Sequence, residues 1–206
     1  MEKFIIGKKV DMSQAFEENG NVVPLTIIQA GPCKILQVKS KEKDGYEAFQ
    51  FGFDEQLPRK VKKPMKGKEF KHLKEFRPRK SLKEFGEEAK EWKEGDWVNV
   101  SIFKEGDKVG VSGIAKGKGF QGAVKKWGFH GKNATHGNRH DERSLGSVGT
   151  SGHHRVTKGR RMPGRMGGGR ITVRNLKIMK VDPENNVLLI RGAIPGRKGI
   201  IVEVRG

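Results

Sequence analysis

Cysteine is almost absent from this chain of 206 residues: Cys33 is the only one. A single thiol makes neither a disulfide framework nor a cysteine zinc site, and its place at the start of an apolar run suits a lone buried side chain in a reducing compartment. Long apolar runs are missing as well. None approaches the roughly 18 residues that a membrane-crossing helix needs. The N-terminus, M-E-K-F-I-I-G-K-K-V, has no extended apolar stretch and no small-residue cleavage site, so no secretory signal is expected. Acids are scarce: 24 Asp and Glu stand against 43 Lys and Arg, a formal charge of +19. That imbalance points to a polyanionic partner, nucleic acid first, with a lipid or heparin-like surface as the rival. The kinase pieces V-A-I-K, H-R-D and D-F-G do not occur, and neither does the H-E-x-x-H of zinc peptidases.

What is present is concentrated. Residues 116–170 hold 13 Lys or Arg against two acids, Asp141 and Glu142, together with 14 of the 29 glycines and five of the six histidines. Only six of these 55 residues are Leu, Ile, Val or Phe. Such a stretch buries too little apolar surface to offset the entropy of ordering its glycines, and it is too long for a passive loop. An outside partner must order it.

The flanks read as short strands. Phe4–Val10, Val22–Gln29, Lys34–Lys39 and Tyr46–Phe53 are separated by turn signals at Gly20 and at Lys41–Gly45, and Pro24 marks an edge or a strand start. Residues 56–95 form a smaller basic insertion, with a capping-box pattern of Ser81 and Glu84 that predicts one short helix or turn. The Arg59–Lys68 run is either a solvated face or a phosphate contact. Trp97–Phe103 alternates strictly, a turn at Glu105–Gly106 follows, and Lys108–Ile114 is the expected returning strand. Beyond the glycine-rich stretch come Ile171–Val181, the turn D-P-E-N-N, Val187–Arg191, a loop over Ala193–Lys198, and a last strand over Gly199–Val204. The expected class is mainly β, an antiparallel barrel or sandwich of residues 1–115 and 171–206, from which 116–170 departs as a long arm.

Gly117–Gly122 matches G-x-G-x-x-G and Asp141 lies downstream, but Gly128 and Gly131 leave no room for the full helix of a dinucleotide site. The glycines instead let backbone N–H groups approach phosphates, with Lys116, Lys118, Lys125 and Lys126 beside them. His130, His136, His140, His153 and His154 have no cysteine or acid pattern for zinc, and fit nucleotide contacts. Trp127 and Phe129 sit among cations and suit base stacking. Phe120 serves either stacking or a small hydrophobic clasp. Arg155, Lys158, Arg160, Arg161, Arg165 and Arg170 follow no helix or strand period, which favours an irregular RNA-binding arm over a DNA-reading helix. Lys132, Arg139 and Arg143 extend the same surface. No catalytic residue, metal site, cofactor or small-molecule substrate is expected.

Several ordered pieces then resemble one family. They include Gly7-Lys-Lys with Met12-Ser-Gln, Pro24-Leu-Thr, Asp44-Gly-Tyr-Glu-Ala, Lys116-Gly-Lys-Gly-Phe-Gln-Gly, Thr135-His-Gly-Asn, Gly146-Ser-Val-Gly, Lys158-Gly-Arg-Arg-Met-Pro-Gly-Arg-Met-Gly and Gly192-Ala-Ile-Pro-Gly. Over nearly its whole length the chain is similar to the bacterial large-subunit ribosomal protein three family. The resemblance implies a β-barrel of the translation-protein type carrying a long extension. It implies direct binding to large-subunit ribosomal RNA in the cytoplasm, an early role in subunit assembly, contacts with neighbouring ribosomal proteins, and an extension aimed toward the peptidyl-transferase region. The chain departs from the family pattern at Asp11, where Gly is usual, and at Glu142-Arg-Ser-Leu-Gly146. It is also one residue short between Gly149 and Val156. Thr150 or Ser151 falls where some relatives carry a methylated glutamine, so that modification is not expected.

Overall fold

The computed structural model describes residues 3–17, 19–78 and 92–206. The chain divides into two units, Met1–Ile114 with Arg170–Gly206, and Ala115–Gly169.

The first unit contains a closed six-stranded barrel. Around it run β1 (Phe4–Phe16), the C-terminal strand (Ile201–Arg205), Lys108–Ile114, Arg170–Asp182, β11 (Val187–Arg191) and β2 (Val22–Ala30), which pairs back onto β1. Every neighbouring pair is antiparallel. The reason lies in the period of the apolar residues. Val202 and Val204 point inward from the last strand and Leu188 and Ile190 from Val187–Arg191, while alternate residues stay half-exposed or exposed. One face of each strand therefore has to be covered, and closing the sheet covers all of them while leaving no edge along the closed part. Pro24 sits one residue past the ladder that joins β2 to Val187–Arg191, and its carbonyl accepts the Gly192 N–H at 2.8 Å.

Beside the barrel lies a four-stranded sheet in the order β5 (Phe70–Phe76), β4 (Ala48–Glu55), β3 (Cys33–Lys39) and β6 (Trp97–Val98). One core joins the two sheets: Phe4 of β1 lies 5.0 Å from Phe51 and 4.8 Å from Phe76, ring centre to ring centre. Trp92 packs edge-on against Phe49 and Phe51 at 5.2 and 5.3 Å. Offset and edge-to-face rings of this kind add to the area they bury. Cys33 is buried in this core, and burial pushes its thiol up to about 12.

Three readings of the sequence change. Phe70–Phe76 is a strand, not part of a loose basic excursion. Its apolar residues Phe70, Leu73 and Phe76 are spaced by three, which hides the period of two; only Phe70 and Phe76, at its ends, are buried. The alternating Trp97–Phe103 is not one strand. It pairs only over Trp97–Val98, then turns once in a 3-10 helix over Val100–Ile102 to bury both Val100 and Phe103. Nor does it form a hairpin with Lys108–Ile114, because β6 pairs with β3 while Lys108–Ile114, here β7, pairs with β10 (Arg170–Asp182) and β12 (Ile201–Arg205). Lys41–Gly45, read as a polar turn, is a single helical turn, α1 (Lys41–Asp44), closed by Gly45 in the left-handed region. The Ser81 and Glu84 pattern lies outside the described residues.

Candidate nucleic-acid interface

The chain leaves β7 at Ile114 and enters β10 at Arg170, two residues that face each other across the ladder. The unit between them begins as two antiparallel segments. Ala115 N–H donates to Gly169 O at 2.9 Å, Lys118 N–H to Met166 O at 2.9 Å and Met166 N–H to Gly119 O at 2.9 Å. The pairing ends in a two-residue ladder of β8 (Phe120–Gln121) with β9 (Gly164–Arg165). Gly167 makes the close approach possible: with φ at 72°, a Cβ there would lie 2.2 Å from Lys116 O. The Lys118 N–H is thus already satisfied by protein and is not free for a phosphate.

A short helix follows, α2 (Ala123–Trp127), closed by Gly128 in the left-handed region. Its last residue carries the best-defined cluster in the unit. Trp127 Nε1–H donates to Met162 O at 2.9 Å, which fixes the ring, and the ring remains 41% exposed. Lys126 Nζ lies 5.0 Å and Arg161 Cζ 5.4 Å from the ring centre. An anchored, part-exposed indole with two cations beside it brings an aromatic ring and charge together for one nucleotide. Phe120 is 76% exposed, so it closes no hydrophobic clasp and stands as a free apolar ring opposite Arg165.

Residues 130–144 fold back on themselves. Lys132 pairs with Asp141 at 2.8 Å while its N–H donates to Glu142 O at 3.0 Å. Gly131, with φ at 73°, allows this, since a Cβ would meet Glu142 O at 2.1 Å. Further on, Arg160 donates to Ser147 O at 2.6 Å and ties two distant segments together. That bond uses one of its five N–H donors.

Every predicted site residue is exposed except Lys126, which is half-buried. Lys126, Trp127 and Arg161 come together; Lys132 and Arg160 have protein partners of their own. The side chains of Lys116, Lys118, Lys125, His130, His136, Arg139, Arg143, His153, His154, Arg155, Lys158 and Arg165 make no hydrogen bond or ion pair among the described residues. Ala123 is the one side chain described as buried between Ala115 and Gly169. The unit is a string of exposed cations on a hydrogen-bonded backbone with no core.

Arg170 belongs elsewhere. It starts β10 in the first unit and pairs with Glu203 of β12, which also takes Lys74 at 3.3 Å. There it lines a cavity of about 510 Å³ with Lys108, Arg174 and Arg205. This basic cleft escapes the sequence because its cations converge from three strands.

The G-x-G-x-x-G glycines do follow a strand, β7, but that strand has antiparallel neighbours on both sides and the helix after them stops after five residues. No three His, Cys, Asp or Glu gather in a way that would hold a metal among the described residues. No helix among them is long and apolar enough to cross a membrane.

Comparison with known proteins gives a consistent result. A family model described as ribosomal protein L3 matches residues 83–186. A large ribosomal subunit protein uL3 from Geobacillus sp. (strain WCH70) is 47% identical over 204 residues, covering 98% of this chain and 95% of the relative. The uL3 of Corynebacterium jeikeium (strain K411) is 48% identical over 209 residues, covering 98% and 93%. That of Carboxydothermus hydrogenoformans is 42% identical over 212 residues, covering 100% and 97%.

Proposed function

The chain belongs to the ribosomal protein L3 family, and from that premise we propose that it is a structural constituent of the large ribosomal subunit whose residues 115–169 take their order from ribosomal RNA. The family is one of structural proteins, not enzymes. The observation that carries the reading is the pairing of charge with the lack of a core. Twelve Lys or Arg and two acids occupy a unit in which Ala123 is the one side chain described as buried.

Dense phosphates answer both features. They neutralise the exposed cations, and the release of their counterions drives the association. Irregular Arg-rich segments suit RNA because a guanidinium can fork onto phosphate while stacking its plane on a base. Trp127, held by Met162 O and flanked by Lys126 and Arg161, is the base-stacking point. The basic cleft of Lys108, Arg170, Arg174 and Arg205 gives the first unit its own phosphate contact, and the exposed cations of the Arg59–Lys68 run, Arg59, Lys60, Lys62, Lys63 and Lys66, add a second. In this account the barrel docks on the RNA surface, binds early in assembly, and sends residues 115–169 through the RNA toward the peptidyl-transferase region beside other ribosomal proteins.

The salt dependence of binding to large-subunit ribosomal RNA tests this. With about 8 to 10 phosphate contacts, log K should fall by roughly 0.7 to 0.9 per contact for each decade of salt. A slope near zero, or equal affinity for heparin and ribosomal RNA, would remove the reading.

A further inference from the structure

One part of the barrel wall is left open. Strand β12 covers β1 only from Phe4 to Lys8, and the last backbone bonds between the two sides are Lys9 N–H to Ile200 O and Gly199 N–H to Lys9 O. Beyond them β1 continues to Phe16 with β2 on one side only. The register says which groups face the open side. Gln14 lies opposite Pro24, which has no N–H, so that pair exchanges no hydrogen bonds. The Glu17 N–H to Asn21 O bond falls in the same odd-numbered set as Ser13 and Ala15, whose bonds therefore go to β2. Met12, Gln14 and Phe16 are left with their N–H and C=O pointing outward. Met12 N–H is taken by its neighbour Asp11 at 3.0 Å, and the outward N–H groups of Gln14 and Phe16 have no acceptor among the described residues.

The same residues carry an apolar face. Met12 is 46%, Phe16 69% and Val22 53% exposed, with exposed Pro24 between them. Open edges are ordinarily blunted by Lys or Pro; the segment Asp11–Phe16 contains neither.

Charge decides what fits. In a chain of +19 there is no Lys or Arg from Val10 to Cys33. Two neighbouring cations are paired, Lys198 on Asp11 at 2.5 Å and Arg191 on Glu17 at 3.7 Å. The edge itself offers RNA no cation to grip. A second copy fits no better: antiparallel self-pairing about Gln14 would set Asp11 against Glu17, like charge against like. We infer that the β1 edge from Met12 to Phe16 receives an extended strand of a different protein, with apolar side chains at alternate positions and uncharged or basic ends. Main-chain bonds to Gln14 and Phe16 supply the register, and Met12, Phe16 and Val22 supply the apolar contact.

This rests on the ribosomal reading, and one experiment separates the two. The full chain, tagged and carrying a benzophenone amino acid at Met12, is expressed in cells. Its large subunits are isolated on a sucrose gradient and irradiated. The expected product is an adduct to one other protein, at an extended segment with alternating apolar residues. Its yield should drop about tenfold in Gln14→Pro, which deletes an outward donor. It should also drop in Phe16→Lys, a surface change that leaves the fold intact and would strengthen any RNA contact. An adduct to RNA, an adduct to a second copy, no adduct, or a protein adduct indifferent to both substitutions overturns the inference while the chain still sediments with the subunit. A chain that never sediments with the subunit overturns the ribosomal reading and this inference with it.

Discussion

The barrel and the segment from Ala115 to Gly169 are held in opposite ways. In the barrel, Ile28, Val111, Ile178, Leu188, Ile190 and Val202 are wholly out of water, and the fold is a consequence of hiding them. In the other unit, Ala123 is the one side chain described as buried, and hydrogen bonds between backbone groups do the holding. One region carries its own solvent-excluding partner. The other carries cations that call for a partner from outside. The contrast is one of labour: the barrel excludes water with its own side chains, and the coreless segment leaves its cations to the RNA partner proposed for it.

The comparison breaks most readily at a core ring. Phe51→Ala empties a fully buried site between Phe4 and Trp92, in the core shared by the barrel and the sheet beside it, and should cost the first unit about 3 to 5 kcal/mol, read by chemical denaturation. No single large-to-small change between Ala115 and Gly169 should approach that, because its larger apolar side chains, such as Val124, Phe129 and Leu145, are at most half-buried. Removing two cations acts on binding instead. Arg160→Ala with Arg161→Ala should leave the barrel's Tm in place and make the salt slope for RNA shallower by about one to two units, and an unchanged slope would deny them a phosphate role.

Trp127→Ala sharpens the contrast further. It should lower RNA affinity by about 1 to 3 kcal/mol, the range for a base stacked on an aromatic ring, with melting of the free protein unmoved. A large loss of Tm without loss of affinity would make Trp127 structural. The smallest effect is on pH. Lys3, with the Lys104 N–H, holds the Asp107 carboxyl below its ordinary value. A depressed carboxyl contributes stability that is present above its unfolded pKa and lost as pH falls through the folded one. The first unit's stability should therefore fall slightly below about pH 4, by no more than the roughly 0 to 1 kcal/mol of a part-exposed pair, and Asp107→Asn should flatten that step.

Much of this is legible in the amino-acid sequence. The runs of β2, β10 and Val187–Arg191 announce themselves by their apolar, β-branched composition and the turn signals that bound them, and the cations of 116–170 by their number. What stayed hidden has physical causes. Phe70, Leu73 and Phe76 are spaced like a helix although they lie on a strand. Trp97–Phe103 alternates like a strand, yet Val100 and Phe103 reach the core through a 3-10 turn. Closure of β1 against β12 joins residues almost 200 apart in the chain, which no local pattern encodes. At the interface, Trp127 was legible as an aromatic among bases, while its anchor on Met162 and its contact with Arg161 depend on a fold-back of more than thirty residues. The cleft of Lys108, Arg174 and Arg205 left no sequence trace because each cation alone is an ordinary surface residue.

Hydrogen exchange on the free chain and on the same chain within purified large subunits tests the central claim most directly. The account predicts slow exchange in β1, β2, β7 and β10–β12 in both states, with residues 115–169 exchanging fast in the free protein and slowly in the subunit. Slow exchange across 115–169 without RNA would contradict it, for the segment would then hold its own order.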